Sequence, residues 1–142
     1  MQIKKIRSGA KLPLRGSEYA AGSDLFACLD APMTIAPHET AMIPTGLAIA
    51  LPPNTFGAVF ARSGLAVREG LRPANCVGVI DEDYRGELTV ALYNDSDSDR
   101  IIEPEERIAQ LVVIPYVMPS FELVDELDQT ARGKDGFGST GK

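Results

Sequence analysis

Residues 76–93 read CVGVIDEDYRGELTVALY, and the fold is decided here. An apolar run, Cys76–Ile80, meets three acids, Asp81, Glu82 and Asp83. Tyr84-Arg85-Gly86 follows, and a second apolar run, Glu87–Tyr93, leads away. Two β-prone runs around a polar, glycine-containing turn are the grammar of a β-hairpin. Similar runs recur on both sides, at Ser23–Leu29, Ala41–Leu51, Phe56–Ala61 and Arg107–Val117. Thirteen Gly and ten Pro punctuate the chain and leave few windows for a long helix. Short strands with frequent turn signals predict an all-β sandwich or barrel. Only Ser63–Glu69 and Phe121–Leu127 carry a helical pattern, and both are short.

The bulk properties narrow the class. At 142 residues the chain fits one domain that can bury a core without staples. The N-terminal MQIKKIRSGAKLPL lacks the apolar segment of a secretory signal, and no run reaches membrane-spanning length, so a cytoplasmic protein is expected. Cys28 and Cys76 sit in apolar stretches as expected of reduced thiols, and with one His they cannot furnish a zinc site. A net charge of −6 speaks against nucleic acid as partner. It does not speak against a phosphorylated small molecule, which Mg²⁺ can mask and converging arginines can grip.

Several groups could carry chemistry. Asp81, at the end of an apolar strand, has the position of a general base for water, although a solvated acidic turn is the commoner fate of such clusters. Asp24, in Ala20–Leu25, stands at a strand start. Arg62 and Ser63 mark a strand-to-helix junction, where free amides favour anions; a plain N-cap serine reads the same way. His38 lies in a Pro-His-Glu turn without a triad pattern, and Asp95–Arg100 reads as a solvated loop.

The C-terminal segment Asp128–Lys142 contains four glycines and a single large apolar residue, Phe137. It has little to bury and is expected to be mobile, leaving residues 1–127 as the barrel core. Gly136–Lys142 imitates the start of a Walker A loop, but no hydroxyl residue or helix follows Lys142, so a P-loop is excluded. Glycines and Arg132 nevertheless make the segment a candidate lid over phosphates.

In order, these pieces resemble the five motifs of the trimeric dUTP pyrophosphatase (dUTPase) family. They are Ala21–Ala27 (AGSDLFA), Arg62–Ala66 (RSGLA), Asn75–Glu87 (NCVGVIDEDYRGE), Arg107–Leu111 (RIAQL), and Arg132-Gly133 with Gly136–Gly141 (GFGSTG). Ala61, Pro104-Glu105-Glu106 and Asp135 depart from the usual pattern, and Asp135 puts a carboxylate near the phosphate-closing segment. The resemblance implies a jelly-roll or distorted β-barrel assembled as a homotrimer with shared active sites, acting on dUTP with Mg²⁺. It further implies that Asp81 activates the water that attacks the α-phosphorus. Asn75 and the backbone of Val79, Ile80 and Asp81 would read uracil, and Tyr84 would pack under the deoxyribose and exclude a 2′-hydroxyl. Arg62, Ser63, Gly64 and Gln110 would hold phosphates. Asp24 would reach Mg²⁺ through water. Arg132, with Gly138, Ser139 and Thr140, would close over the phosphates while Phe137 stacks on uracil.

Two other readings compete. A dCTP deaminase of the same fold would show a second Ser and a further Arg where Gly64 and Leu65 stand, and would lack the Gly-Phe-Gly-Ser-Thr-Gly ending. A non-enzymatic trimeric module would have replaced Asp81 or Tyr84 or lost the glycine-rich C-terminal segment, and all three are present.

Overall fold

The computed structural model describes residues 1–134. Alternation builds it. In the strand Thr89–Asn94, Val90, Leu92 and Asn94 point inward while Thr89, Ala91 and Tyr93 point out, the period of two that a half-buried sheet requires. Numbered in chain order, the strands are β1 (Gln2–Lys5), β2 (Leu14–Arg15), β3 (Ser23–Phe26), β4 (Met33–Ile35), β5 (Thr40–Pro44), β6 (Leu47–Ala50), β7 (Thr55–Phe60), β8 (Leu71–Pro73), β9 (Gly78–Ile80), β10 (Thr89–Asn94), β11 (Arg100–Ile102) and β12 (Arg107–Pro115), with one helix, α1 (Ser63–Glu69). Every pairing among them is antiparallel.

The largest sheet runs β2-β3-β12-β7-β9, beside a β5-β10-β8 sheet and the pairs β1-β6 and β11-β4. Leu25, Ile35, Ile43, Leu92, Ile102 and Ile108 are almost wholly buried between them, so the layers close on one apolar core as a jelly-roll-like barrel. Its buried polar groups are satisfied. Asn94 Nδ2 donates to Ile35 O (3.0 Å) and Ser98 O (2.8 Å), and its Oδ1 accepts from Ser96 Oγ (2.7 Å).

Helix α1 matches the expected bounds. Gly70 ends it in the left-handed conformation at φ 69°, the usual role of glycine after a helix. Ser63 is the first helical residue rather than the cap: Arg62 occupies the N-cap position and donates no side-chain cap bond. The helix expected over Phe121–Leu127 does not form; residues 116–134 run without helix or strand. Seven residues cannot sustain a helix without a surface to pack on, and Phe121 and Leu123 are fully exposed.

Candidate active site

The hairpin grows out of the large sheet. β9 pairs with β7 through Ile80↔Gly57, Val79↔Ala58 and Gly78↔Val59, which leaves Asp81 as the first residue past the strand. The turn beyond it is tied down by four bonds. Tyr84 N–H donates to Asp81 O (3.1 Å). Glu82 accepts from the Asn54 amide (2.7 Å), and Arg85 Nη1 donates to the carbonyls of Glu82 (2.6 Å) and Tyr84 (2.8 Å). Of the three acids, Glu82 is therefore structural, a use its sequence neighbourhood does not reveal. Asp81 is exposed, and among the described residues its carboxylate has no partner. A carboxylate fixed by its backbone and open to solvent has the geometry of a water-activating base.

Val79, Ile80 and Tyr84 border a cleft of about 360 Å³ whose floor includes Leu25, Val59 and Val90, within the size range of small-ligand pockets. Asn75 is exposed just before β9, and its Nδ2 lies 3.6 Å from where a Cβ on Gly78 would stand. Cys76 between them adopts φ 62°, so the strand starts at Gly78, two residues later than the apolar run suggests.

A second cluster is polar throughout. Register places it: Gln110 of β12 lies opposite Asp24 of β3 on one side and Phe60 of β7 on the other. Arg62, just beyond β7, donates from Nε to Asp24 Oδ1 (2.9 Å) and from Nη1 to Arg107 O (3.2 Å). Arg107 Nη1 approaches Asp24 Oδ2 at 3.3 Å. Gln110 Nε2 donates to Ala61 O (2.9 Å), and any side chain at Gly22 would run into the Gln110 amide. Asp24, Arg62 and Gln110 line a cavity of about 190 Å³ with Ser63 and Gly64, and Arg107 braces Asp24 from outside that lining. Two guanidiniums against one carboxylate leave a net positive charge, suited to an anion. Arg107 as second partner of Asp24 has no sequence signal, since 83 residues separate them.

Among the described residues the two cavities share no lining residue. Asp24 and Leu25 are consecutive on β3, so they face opposite sides of the sheet; Asp24 lines the polar cavity and Leu25 the cleft beneath the hairpin. Val79, Ile80, Asp81 and Tyr84 thus stand together, as do Arg62, Ser63, Gly64, Gln110 and Asp24. Arg132 lies in the exposed segment past residue 116. Phe137, Gly138, Ser139 and Thr140 lie outside the described residues.

A further pair anchors the base of the hairpin. Arg7 donates from Nε (2.7 Å) and Nη2 (2.8 Å) to the two carboxylate oxygens of Glu87. The Gly46 amide donates to the same carboxylate at 2.9 Å. Hydrogen bonding from Arg7, with smaller help from that amide and the Arg7 charge, outweighs burial and holds the Glu87 pKa below its ordinary value.

Comparison with known proteins places these features. The dUTPase family model matches residues 8–141. The deoxyuridine 5'-triphosphate nucleotidohydrolase of Orientia tsutsugamushi is 46% identical over 99% of this chain and 95% of its own. That of Burkholderia multivorans is 45% identical over 100% and 97%. The structure of the Staphylococcus bacteriophage 80alpha dUTPase with dUPNHPP superposes with a TM-score of 0.90 at 30% identity, covering 99% of this chain and 98% of that one. A family match from near the first residue to near the last, over a fold of the same shape, makes this chain a member of the dUTPase family.

Proposed function

We propose that the chain hydrolyses dUTP to dUMP and pyrophosphate, with Asp81 as the base that activates water for attack on the α-phosphorus, at sites shared between copies of the chain. The observation that carries this reading is the Asp81 carboxylate at the root of a braced hairpin, without a partner among the described residues, in a chain of this family. Such an activity keeps uracil out of DNA and supplies dUMP.

The cleft beside Val79 and Ile80 would take uracil. Their backbone and Asn75 would pair with its edge, and the close walls would reject the thymine methyl. Pairing of this kind discriminates strongly because the wrong base leaves polar groups unpaired. Tyr84 would lie against the deoxyribose. Arg62, Ser63, Gly64 and Gln110 of another copy would hold the phosphates. Residues 128–142 would act as the lid, Arg132 with Gly138, Ser139 and Thr140 on the phosphates and Phe137 on the base, excluding bulk water and so strengthening each charge interaction.

Mg²⁺ fits this site as a companion of the triphosphate rather than a resident of a protein cage. Among the described residues no group of three or more His, Cys, Asp or Glu could hold a metal. Each Asp24 oxygen accepts from an arginine, and the remaining lone pairs can accept from a metal-bound water. The ion would neutralise phosphate charge and polarise the α-phosphorus.

A homotrimer with shared sites would unite the separated clusters. Val117, Met118, Phe121, Leu123 and Leu127 are more than half exposed on the described terminal segment, a surface that a second copy can cover. Cytoplasmic residence is in keeping with two unbridged cysteines; no helix among the described residues is long and apolar enough to cross a membrane.

Pyrophosphate release with Mg²⁺, measured on dUTP beside dCTP, dTTP and UTP, tests the reading. Asp81→Asn should lower kcat on dUTP by about 10²–10⁴-fold while substrate still binds. Near-parent turnover in that variant would remove Asp81 from the role.

A further inference from the structure

We propose that Glu87, which borders the cleft beside Tyr84 and is clamped by Arg7, is a positioning residue for Tyr84, so that the preference for deoxyribose over ribose depends on an ion pair that is not itself assigned to hold the nucleotide. The inference rests on the assignment of Tyr84 to the sugar made above.

Tyr84 is half exposed, and its hydroxyl donates to the Glu87 carbonyl at 3.1 Å. Gly86 permits the ring to fold back so closely: a Cβ there would stand 2.6 Å from Tyr84 Cζ. The ring therefore goes where residue 87 goes.

Residue 87 is held from every side. Its carboxylate accepts the two Arg7 bonds and the Gly46 amide. The next residue is stitched to the same turn: Leu88 N–H donates to Leu47 O (2.8 Å), and Leu88 O accepts from Thr45 N–H (3.1 Å) and the buried Thr45 hydroxyl (2.7 Å). The turn cannot retreat from the segment that carries Arg7. Gly46 has φ 69°, and a Cβ on it would lie 2.7 Å from Ala10 Cβ and 3.1 Å from Arg7 Cβ. A forked guanidinium–carboxylate contact fixes orientation as well as distance. Arg7 is half exposed in this pair, so its contribution to global stability is modest and its larger effect should fall on local geometry.

The test uses the full chain with initial rates on dUTP and UTP, plus a melting temperature for each variant. Arg7→Ala and Glu87→Gln should each lower the dUTP-to-UTP ratio of kcat/KM by about ten- to a hundredfold, the scale of a displaced contact group. The double variant should add little to either single one. Arg7→Lys, which keeps the charge but not the fork, should recover part of the ratio. If Tyr84→Ala lowers the ratio while Arg7→Ala and Glu87→Gln keep the parent value, or slow both substrates equally, the positioning role is overturned and the Tyr84 assignment stands. A parent-like ratio in Tyr84→Ala overturns that assignment and the inference with it. Should Arg7→Ala fail to fold, Arg7→Lys and Glu87→Gln decide the matter on the same ratio.

Discussion

Glu87 shows what one carboxylate does when three donors converge on it. Its pKa sits below the ordinary 4.5, so ionisation is favoured in the folded state. A depressed carboxylate contributes stability that is complete above the unfolded value and is lost as pH falls through the folded one. Acidifying from neutrality through 4.5 and below should therefore lower the melting temperature of the parent more steeply than that of Glu87→Gln, which has no proton to gain. Parallel curves in differential scanning fluorimetry would contradict this. Arg7 remains charged throughout, since the same contact raises its already high pKa.

Among elements, β10 carries the largest share of the inward face of its sheet, joining β5 on one edge and β8 on the other. Leu92 is fully buried at its centre. Leu92→Ala should cost about 2–5 kcal/mol of stability in urea unfolding, with kcat per folded chain unchanged. A loss below about 1 kcal/mol would mean that the core collapses around the gap. β10 was also among the most legible elements, because its alternation is regular and aromatic or branched residues fill it. Helix α1 was legible to the residue, bounded by Arg62 and Gly70. The run Ala41–Leu51 hid a break, since Gly46 turns the chain between β5 and β6. Short edge strands such as β1 and β2 have too few alternating apolar residues to be seen; register with a distant partner makes them. The hairpin and the Arg62–Gly64 segment announced themselves by composition. The braces did not: Glu82 with Asn54, Arg107 with Asp24 and Arg7 with Glu87 join residues 28, 83 and 80 positions apart.

At the scale of the molecule, the two clusters make a prediction about mixtures. Asp81→Asn and Arg62→Ala should each be nearly inactive alone. Unfolded together and refolded as a 1:1 mixture, they should regain up to about a quarter of the parent activity, because random assembly gives some sites an intact Asp81 from one chain and an intact Arg62 from another. No regain, with mixed assemblies verified by native mass spectrometry, would place both residues of a site in the same chain.

The alternation of Asp24 and Leu25 on β3 has a kinetic corollary. If a strand one side chain thick keeps the carboxylate proposed to activate water away from the proposed phosphate grip of its own chain, then a folded but solitary copy is catalytically silent. The rate would then inherit the reaction order of assembly. In solutions dilute enough for the proposed trimer to come apart, it would climb with the third power of chain concentration before settling to the first, so that newly made chains count for nothing until they find each other.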